Sequence, residues 1–278
     1  MGLFIFFEDI GMYQVIKFTV FGSTAIISTY NLMIAIGIIT GIILFEYKCD
    51  KNGISKKEID NLMVVICVSI VFGFISGAIF DKFVHYNNIK DILSHLLAFT
   101  GITFAGGLLG GALVFLICYK MIMGNFRNVM IHINHIAPSL AIAHFLGRIG
   151  CFFGGCCFGK PTNSIIGVRF PVGSLTDQLY GRVVKVIPTQ LIEALFLMII
   201  FFITYFWLRK NAFSYYLILY GIFRFMIEFF RGDDRGALFQ TMLTPSQWIS
   251  ILMILIGGFL LYMSHRKQET HRGFSPRA

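Results

Sequence analysis

The sequence predicts an all-α integral membrane protein of about seven transmembrane helices, with its N-terminus outside and its C-terminus cytoplasmic. Three observations carry that prediction. Hydrophobic residues make up 56% of the 278 and charged residues 13%, at a mean hydropathy of +0.77, a membrane composition and not that of a soluble core. Apolar runs recur along the chain, each near the roughly 20 residues that cross a hydrocarbon layer. Lys and Arg also fall unevenly between alternate loops. The net charge of +9 therefore reads as membrane topology, with no nucleic-acid partner implied.

Residues 1–22 are mildly apolar, with Glu8, Asp9 and Lys17 scattered through them. No run there is long enough to span, so the segment is expected to lie as an arm at the membrane surface. It lacks a basic start and a small-residue cleavage pattern, so no cleavable signal peptide is expected. A multi-pass membrane domain follows over 23–264, and a basic cytoplasmic tail over 265–278.

The first span covers about 24–45 and gives way to a turn carrying Lys48, Lys51, Lys56 and Lys57. Ser55 and Glu58 form the S-x-x-E pattern that starts a helix, and the second span follows at about 61–80. The third, about 95–119, carries Gly101, Gly106, Gly107, Gly110 and Gly111. Its small-xxx-small pairs fit close helix packing in lipid, or a backbone that presents N–H groups to a polar ligand. The fourth, about 129–151, is expected to break at Pro138 and contains His132, His135, His144 and Arg148. Residues 152–187 form a loop long enough to suggest function. The fifth span, about 188–208, opens at Pro188 with Glu193 one turn inside. The sixth, about 215–231, holds Arg224, Glu228 and Arg231, and the seventh runs over about 245–263.

Seven spans place the termini on opposite sides. Lys48, Lys51, Lys56, Lys57, Lys120, Arg127, Arg209, Lys210 and the tail cations share one side. Lys17, Lys82, Lys90, Lys160, Arg169, Arg182, Lys185 and Arg235 share the other. The first set is larger and sits in short loops, which makes it cytoplasmic. The long loop then faces outward.

Charge inside the spans is the strongest functional signal. A guanidinium in hydrocarbon either snorkels to the headgroups or meets an anion. Tyr220, Arg224, Glu228 and Arg231 follow one another at four, four and three residues and so share a helix face. His144, Arg148 and Cys151 share a face of the fourth span by the same arithmetic. Arg224 and Glu228 can neutralise each other, which leaves Arg231 as excess positive charge. Two arginine-bearing faces suit a phosphate, which guanidinium binds bidentately, and the abundant membrane phosphate is a phospholipid headgroup. His144, one turn from Arg148, is either a general base or a histidine hydrogen-bonded to a neighbouring helix.

Cys49, Cys67 and Cys118 are scattered in or beside apolar runs and read as small hydrophobes. Cys151, Cys156 and Cys157 cluster, but their spacing matches no common zinc pattern. A metal would need a fourth ligand such as His144. Small residues filling a tight turn are the simpler reading, with a redox or thiol role beside it.

These features sit in segments that together resemble the bacterial prolipoprotein diacylglyceryl transferase family. The matching stretches are GITFAGGLLG at 101–110, GRIG at 147–150 with GKPT at 159–162, PTQLIE at 188–193 and YGIFRFMIEFFR at 220–231, with a weaker YNLM at 30–33. The resemblance implies a seven-helix enzyme of the bacterial cytoplasmic membrane, active at the outer leaflet and without cofactor or metal. Its relatives transfer the diacylglyceryl group of phosphatidylglycerol to the lipobox cysteine thiol of a prolipoprotein signal peptide, forming a thioether. Carried over by position, Arg148 and Arg224 hold the lipid phosphate. Tyr220, Glu228, Arg231 and Glu193 orient that site, Tyr30 lines it, and Gly106 and Gly107 contact substrate.

Three positions depart from the family. Ala105 stands where it usually has His, Cys151 where it has Asn, and Gly154-Gly155-Cys156 where it has Asn-Gly-Glu. His144 is the candidate for the missing histidine's work. The departures also motivate two alternatives: a paralogue acting on another lipid or acceptor, and a non-enzymatic thiol-binding, metal-binding or transport protein.

Overall fold

A computed structural model describes residues 4–7, 15–20, 23–85, 90, 103–232 and 243–273. Among them, seven helices are long and apolar enough to cross a membrane: Thr29–Lys51, Lys56–Phe83, Gly106–Met123, Val129–Phe153, Thr189–Trp207, Arg209–Phe230 and Pro245–Lys267. The protein is a multi-pass membrane protein. Its apolar side chains point outward as lipid requires; Leu255 and Phe259, for example, are 65% and 62% exposed.

The first 28 residues contribute strands, which the sequence reading did not foresee. Phe4–Phe7 (β1), Val15–Val20 (β2) and Ser23–Ser28 (β3) form an antiparallel sheet in the order β1-β2-β3. β2 and β3 are rich in Val, Ile, Phe and Thr, which suit a pleated strand better than a surface helix. β3 runs directly into α1 (Thr29–Lys51), which continues past the expected end at residue 45 because Phe45, Lys48 and Cys49 are buried.

The helices that follow are α2 (Lys56–His85), α3 (Phe104–Met123) and α4 (Val129–Phe153). The expected start of the third span, with Gly101, lies outside the described residues. Pro138 does not break α4, which runs continuously through it. One missing N–H is tolerated in a membrane helix whose neighbours satisfy the freed carbonyl. Beyond α4 come β4 (Val168–Arg169), α5 (Leu175–Tyr180) and β5 (Lys185–Val186), then α6 (Thr189–Phe202) with a π turn at Ile203–Trp207. A 3₁₀ turn, Arg209–Asn211, leads to α7 (Ala212–Ile227). The 3₁₀ turn Glu228–Phe230 closes that helix, and α8 (Pro245–Gly273) ends the described chain.

The contacts cluster into two compact units, 46–133 and 1–45 with 134–278. The first is built on α2 and α3. A Cβ built on Gly106 would fall on Phe80 Cβ, and one on Gly110 would fall on Ser76 Oγ. These glycines let the backbones approach, and Ser76 Oγ donates to Gly106 O across the gap at 3.0 Å. At the same unit's other end, Glu58 Oε1 meets His132 Nε2 at 3.0 Å, and Tyr119 OH lies 2.8 Å from His132 Nδ1.

The second unit has a core of Ala137, Ala141, Leu197, Ile200, Ala212, Tyr216, Tyr220 and Met253. It is drawn from α4, α6, α7 and α8. Lipid tails are as apolar as these side chains, so close fit and hydrogen bonds hold the helices together, not expulsion of water. Each of α4, α6 and α7 carries a charge toward this core.

Candidate functional site

α4, α6 and α7 bring their charges together at one place. Arg148 Nη2 on α4 meets Glu193 Oε1 on α6 at 2.9 Å, with the Glu193 side chain fully buried and Arg148 12% exposed. An ion pair so buried is stable only with close geometry and further hydrogen bonds. Tyr220 on α7 supplies one, its hydroxyl donating to the same Glu193 Oε1 at 2.6 Å. Among the described residues, Glu193 Oε2 and Arg148 Nε are buried with no hydrogen-bond partner.

His144 extends this network. Its Nε2 lies 3.5 Å from Tyr220 OH and its Nδ1 lies 3.1 Å from Tyr216 OH. Tyr220 has given its single proton to a carboxylate that can only accept, so His144 Nε2 carries a hydrogen and donates to Tyr220. Nδ1 then accepts from Tyr216. The tautomer is thus assigned by the network, and the chain runs Tyr216, His144, Tyr220, Glu193, in one direction. His144 reaches the ion pair through Tyr220, and both ring nitrogens are engaged by tyrosines.

A second charged cluster completes the α7 face. Arg224 Nη1 meets Glu228 Oε2 at 2.6 Å, and Arg224 Nη2 donates to Ser246 Oγ at 3.0 Å. Thr244 Oγ1 donates to Glu228 Oε1 at 2.9 Å, so the start of α8 braces both members. Arg224 is also within electrostatic reach of Glu193 and His144. Arg231 follows, buried, with its backbone paired to Gly159 of the long loop and Lys160 N–H donating to Phe230 O at 2.8 Å. Among the described residues, three guanidinium groups thus stand near two carboxylates in this part of the molecule, and guanidinium matches phosphate oxygens bidentately.

The turn after α4 lies against the same region. Thr189 Oγ1 donates to Cys157 O at 2.7 Å and Gln190 Nε2 to Cys156 O at 2.6 Å, so the first turn of α6 pins it. The Cys157 thiol is held well below the usual thiol range by hydrogen bonds with Cys151 and Cys156, helped by Arg231 and Arg148, while burial opposes. Tyr30, at the start of α1, sits beside this turn, because Gly150 leaves no Cβ to meet the Tyr30 carbonyl. Ser28, Tyr30, Gly154 and Cys156 line a cavity of about 220 Å³.

Of the expected site residues, Tyr30, His144, Arg148, Glu193, Tyr220, Arg224, Glu228 and Arg231 all belong to the second unit. Gly106 and Gly107 do not: they belong to the 46–133 unit, where α2 takes up the space beside them. The sequence reading missed Tyr216, Thr189, Gln190, Thr244 and Ser246. Tyr216 could have been found, because it stands four residues before Tyr220 on the charged face.

Residues 16–263 match the family model described as prolipoprotein diacylglyceryl transferase. The phosphatidylglycerol–prolipoprotein diacylglyceryl transferase of Clostridium tetani is 35% identical over 252 residues, covering 86% of this chain and 94% of that protein. Phosphatidylglycerol–prolipoprotein diacylglyceryl transferase 2 of Clostridium perfringens is 34% identical, covering 85% and 90%. The corresponding transferase of Teredinibacter turnerae is 31% identical, covering 89% and 87%.

Proposed function

Because the chain belongs to the prolipoprotein diacylglyceryl transferase family, we propose that it moves the diacylglyceryl group of phosphatidylglycerol onto the lipobox cysteine thiol of a prolipoprotein signal peptide. The carrying observation is the convergence of the Arg148 and Arg224 guanidinium groups around Glu193, a fork geometry that suits the oxygens of a lipid phosphate.

In this reading Arg148 and Arg224 grip the phosphate oxygens. The acceptor thiol gives its proton to water, its sulfur attacks the glyceryl carbon, the carbon–oxygen bond to phosphate breaks, and glycerol phosphate leaves with one more negative charge than the bound diester had. Fixed cations in a water-poor site stabilise that growing charge without reorganising. Glu193 keeps Arg148 aimed, and Glu228 with Ser246 keeps Arg224 aimed. Arg231 adds positive charge at the loop side. Tyr220 and His144 are positioning residues, acting on the phosphate through Glu193. Tyr30 lines the approach of the acceptor.

The reading sets the enzyme in the bacterial cytoplasmic membrane with its site toward the outer leaflet. The imbalance of Lys and Arg between alternate loops supports that orientation. The test is to incubate purified protein with phosphatidylglycerol and a lipobox peptide and to weigh the peptide. A diacylglyceryl mass increase on cysteine is expected, and a peptide that stays unmodified overturns the reading.

A further inference from the structure

Three thiols outside the charged network converge on one point. The Sγ atoms of Cys151, Cys156 and Cys157 all lie within 4.8 Å of one another, and none of the three is joined in a disulfide. The backbone bends unusually to gather them: Gly155 and Cys157 sit at φ 63° and 64°. A residue with a Cβ enters that left-handed region only against steric resistance from the following carbonyl oxygen. Such strain persists only where surrounding structure imposes it, and here Thr189 and Gln190 hold the carbonyls of Cys157 and Cys156.

Three sulfurs at this separation fit a thiophilic divalent ion. A tetrahedral ion with metal–sulfur bonds of about 2.3 Å sets its sulfurs ~3.8 Å apart, so the thiols need to close by only ~1 Å or less. His144 is not the fourth ligand, since its two ring nitrogens face Tyr216 and Tyr220. Instead Cys156 borders the cavity of about 220 Å³ shared with Ser28, Tyr30 and Gly154, which has room for a water or an incoming side chain. Three protein ligands and one accessible position is the arrangement of catalytic, not structural, zinc sites.

We propose that Cys151, Cys156 and Cys157 hold one zinc-like divalent cation, whose fourth position takes the acceptor thiol and keeps it as a thiolate. The inference rests on the transferase reading above and deepens it. A thiol that coordinates such an ion loses its proton outright, and the thiolate is the nucleophile. The step balances. On binding, the acceptor displaces water and releases its proton to solvent in the cavity. Its sulfur then forms the bond to the glyceryl carbon while the carbon–oxygen bond breaks, and that bond's electron pair leaves with glycerol phosphate. Nothing is oxidised or reduced, and the thioether, a weak ligand, leaves the ion. Three thiolates on a divalent ion carry one net negative charge, two once the acceptor thiolate is bound, and Arg148 and Arg231 both lie in electrostatic reach of Cys157.

The test uses the full chain in detergent, stripped with chelator and titrated with Co²⁺ alone and then Zn²⁺. One equivalent of Co²⁺ should bind with sulfur-to-cobalt charge-transfer absorption, and Zn²⁺ should displace it. A lipobox peptide should then shift the visible cobalt bands, whereas the same peptide with Cys→Ser should not. Cys156→Ser should weaken Co²⁺ binding by roughly tenfold or more, while Cys67→Ser, at an exposed thiol of α2, should bind as wild type. A wild-type protein without the charge-transfer band overturns the proposal, as does a disulfide between any two of the three cysteines. Cobalt bands that ignore the peptide overturn it too. Lipidation by protein that binds no cobalt refutes this inference and leaves the transferase reading standing. Cobalt and peptide binding without lipidation refutes the transferase reading instead.

Discussion

Tyr220 and Glu193 share a single hydrogen at 2.6 Å, and the carboxylate oxygen that accepts it is the one facing Arg148 at 2.9 Å. One oxygen thus fixes the direction of a tyrosine on α7 and an arginine on α4. Tyr220→Phe keeps the ring packing and removes only the hydroxyl. A hydrogen bond to a charged group contributes roughly 1.5–3 kcal/mol, so peptide lipidation should slow by about 10- to 100-fold at unchanged protein yield. A variant with wild-type kcat would show that Glu193 holds Arg148 unaided.

Glu193→Gln removes the partner of a buried cation. Breaking a buried pair from one side costs roughly 3–5 kcal/mol, so Tm in detergent should fall clearly. Adding Arg148→Gln should restore much of the Tm while activity stays lost. A double variant no more stable than Glu193→Gln would mean the two residues do not act as a pair.

Arg224→Gln leaves Ser246 and Thr244 in place but removes a cation from the phosphate site. Loss of one such donor lowers kcat by roughly 10²- to 10³-fold. Product inhibition by added glycerol phosphate should weaken in parallel. Inhibition equal to that of wild type would place the phosphate elsewhere.

Tyr216→Phe tests the direction of the hydrogen-bond chain. Without the Tyr216 hydroxyl, His144 Nδ1 loses the hydrogen bond it accepts, and the imidazole can exchange tautomers and withdraw its support from Tyr220. Lipidation should fall by less than in Tyr220→Phe. The imidazole nitrogen shifts, read by ¹⁵N NMR of labelled protein, should change toward a tautomer mixture. Unaltered shifts would refute the assigned tautomer.

Gly106→Leu places a side chain where Phe80 already stands. Overpacking costs roughly 1–3 kcal/mol, and Tm should drop. Gly258→Ala on α8, with nothing among the described residues within 4 Å of the added Cβ, should leave Tm level or raise it.

The membrane spans and the charged face of α7 were legible because both depend on local spacing: a run of about 20 apolar residues, or side chains four apart. The pairing of Arg148 with Glu193 was not, since a helix face shows only what it offers, and the partner stands 45 positions along the chain. Ser246 and Thr244 escaped notice for the same reason. The continuous course of α4 through Pro138 depends on its neighbours, which local propensity does not contain. Cys151, Cys156 and Cys157 stood out as a cluster, but spacing alone did not reveal the left-handed backbone that brings their sulfurs within 4.8 Å of one another. Gly106 and Gly107 show the opposite case: the sequence pointed first to helix packing, with ligand contact as the alternative, and the position of α2 beside them makes the packing visible.

Gly159 and Arg231 are joined backbone to backbone, so the long segment after α4 is tied to the cationic end of α7. Order that a bound headgroup imposes on Arg231 is therefore expected to pass into that segment through the shared backbone pair. A lipid-loaded molecule should resist proteolytic nicking between residues 160 and 187 better than a lipid-stripped one. Amide exchange there would then report, from a distance, whether the phosphate has been seized.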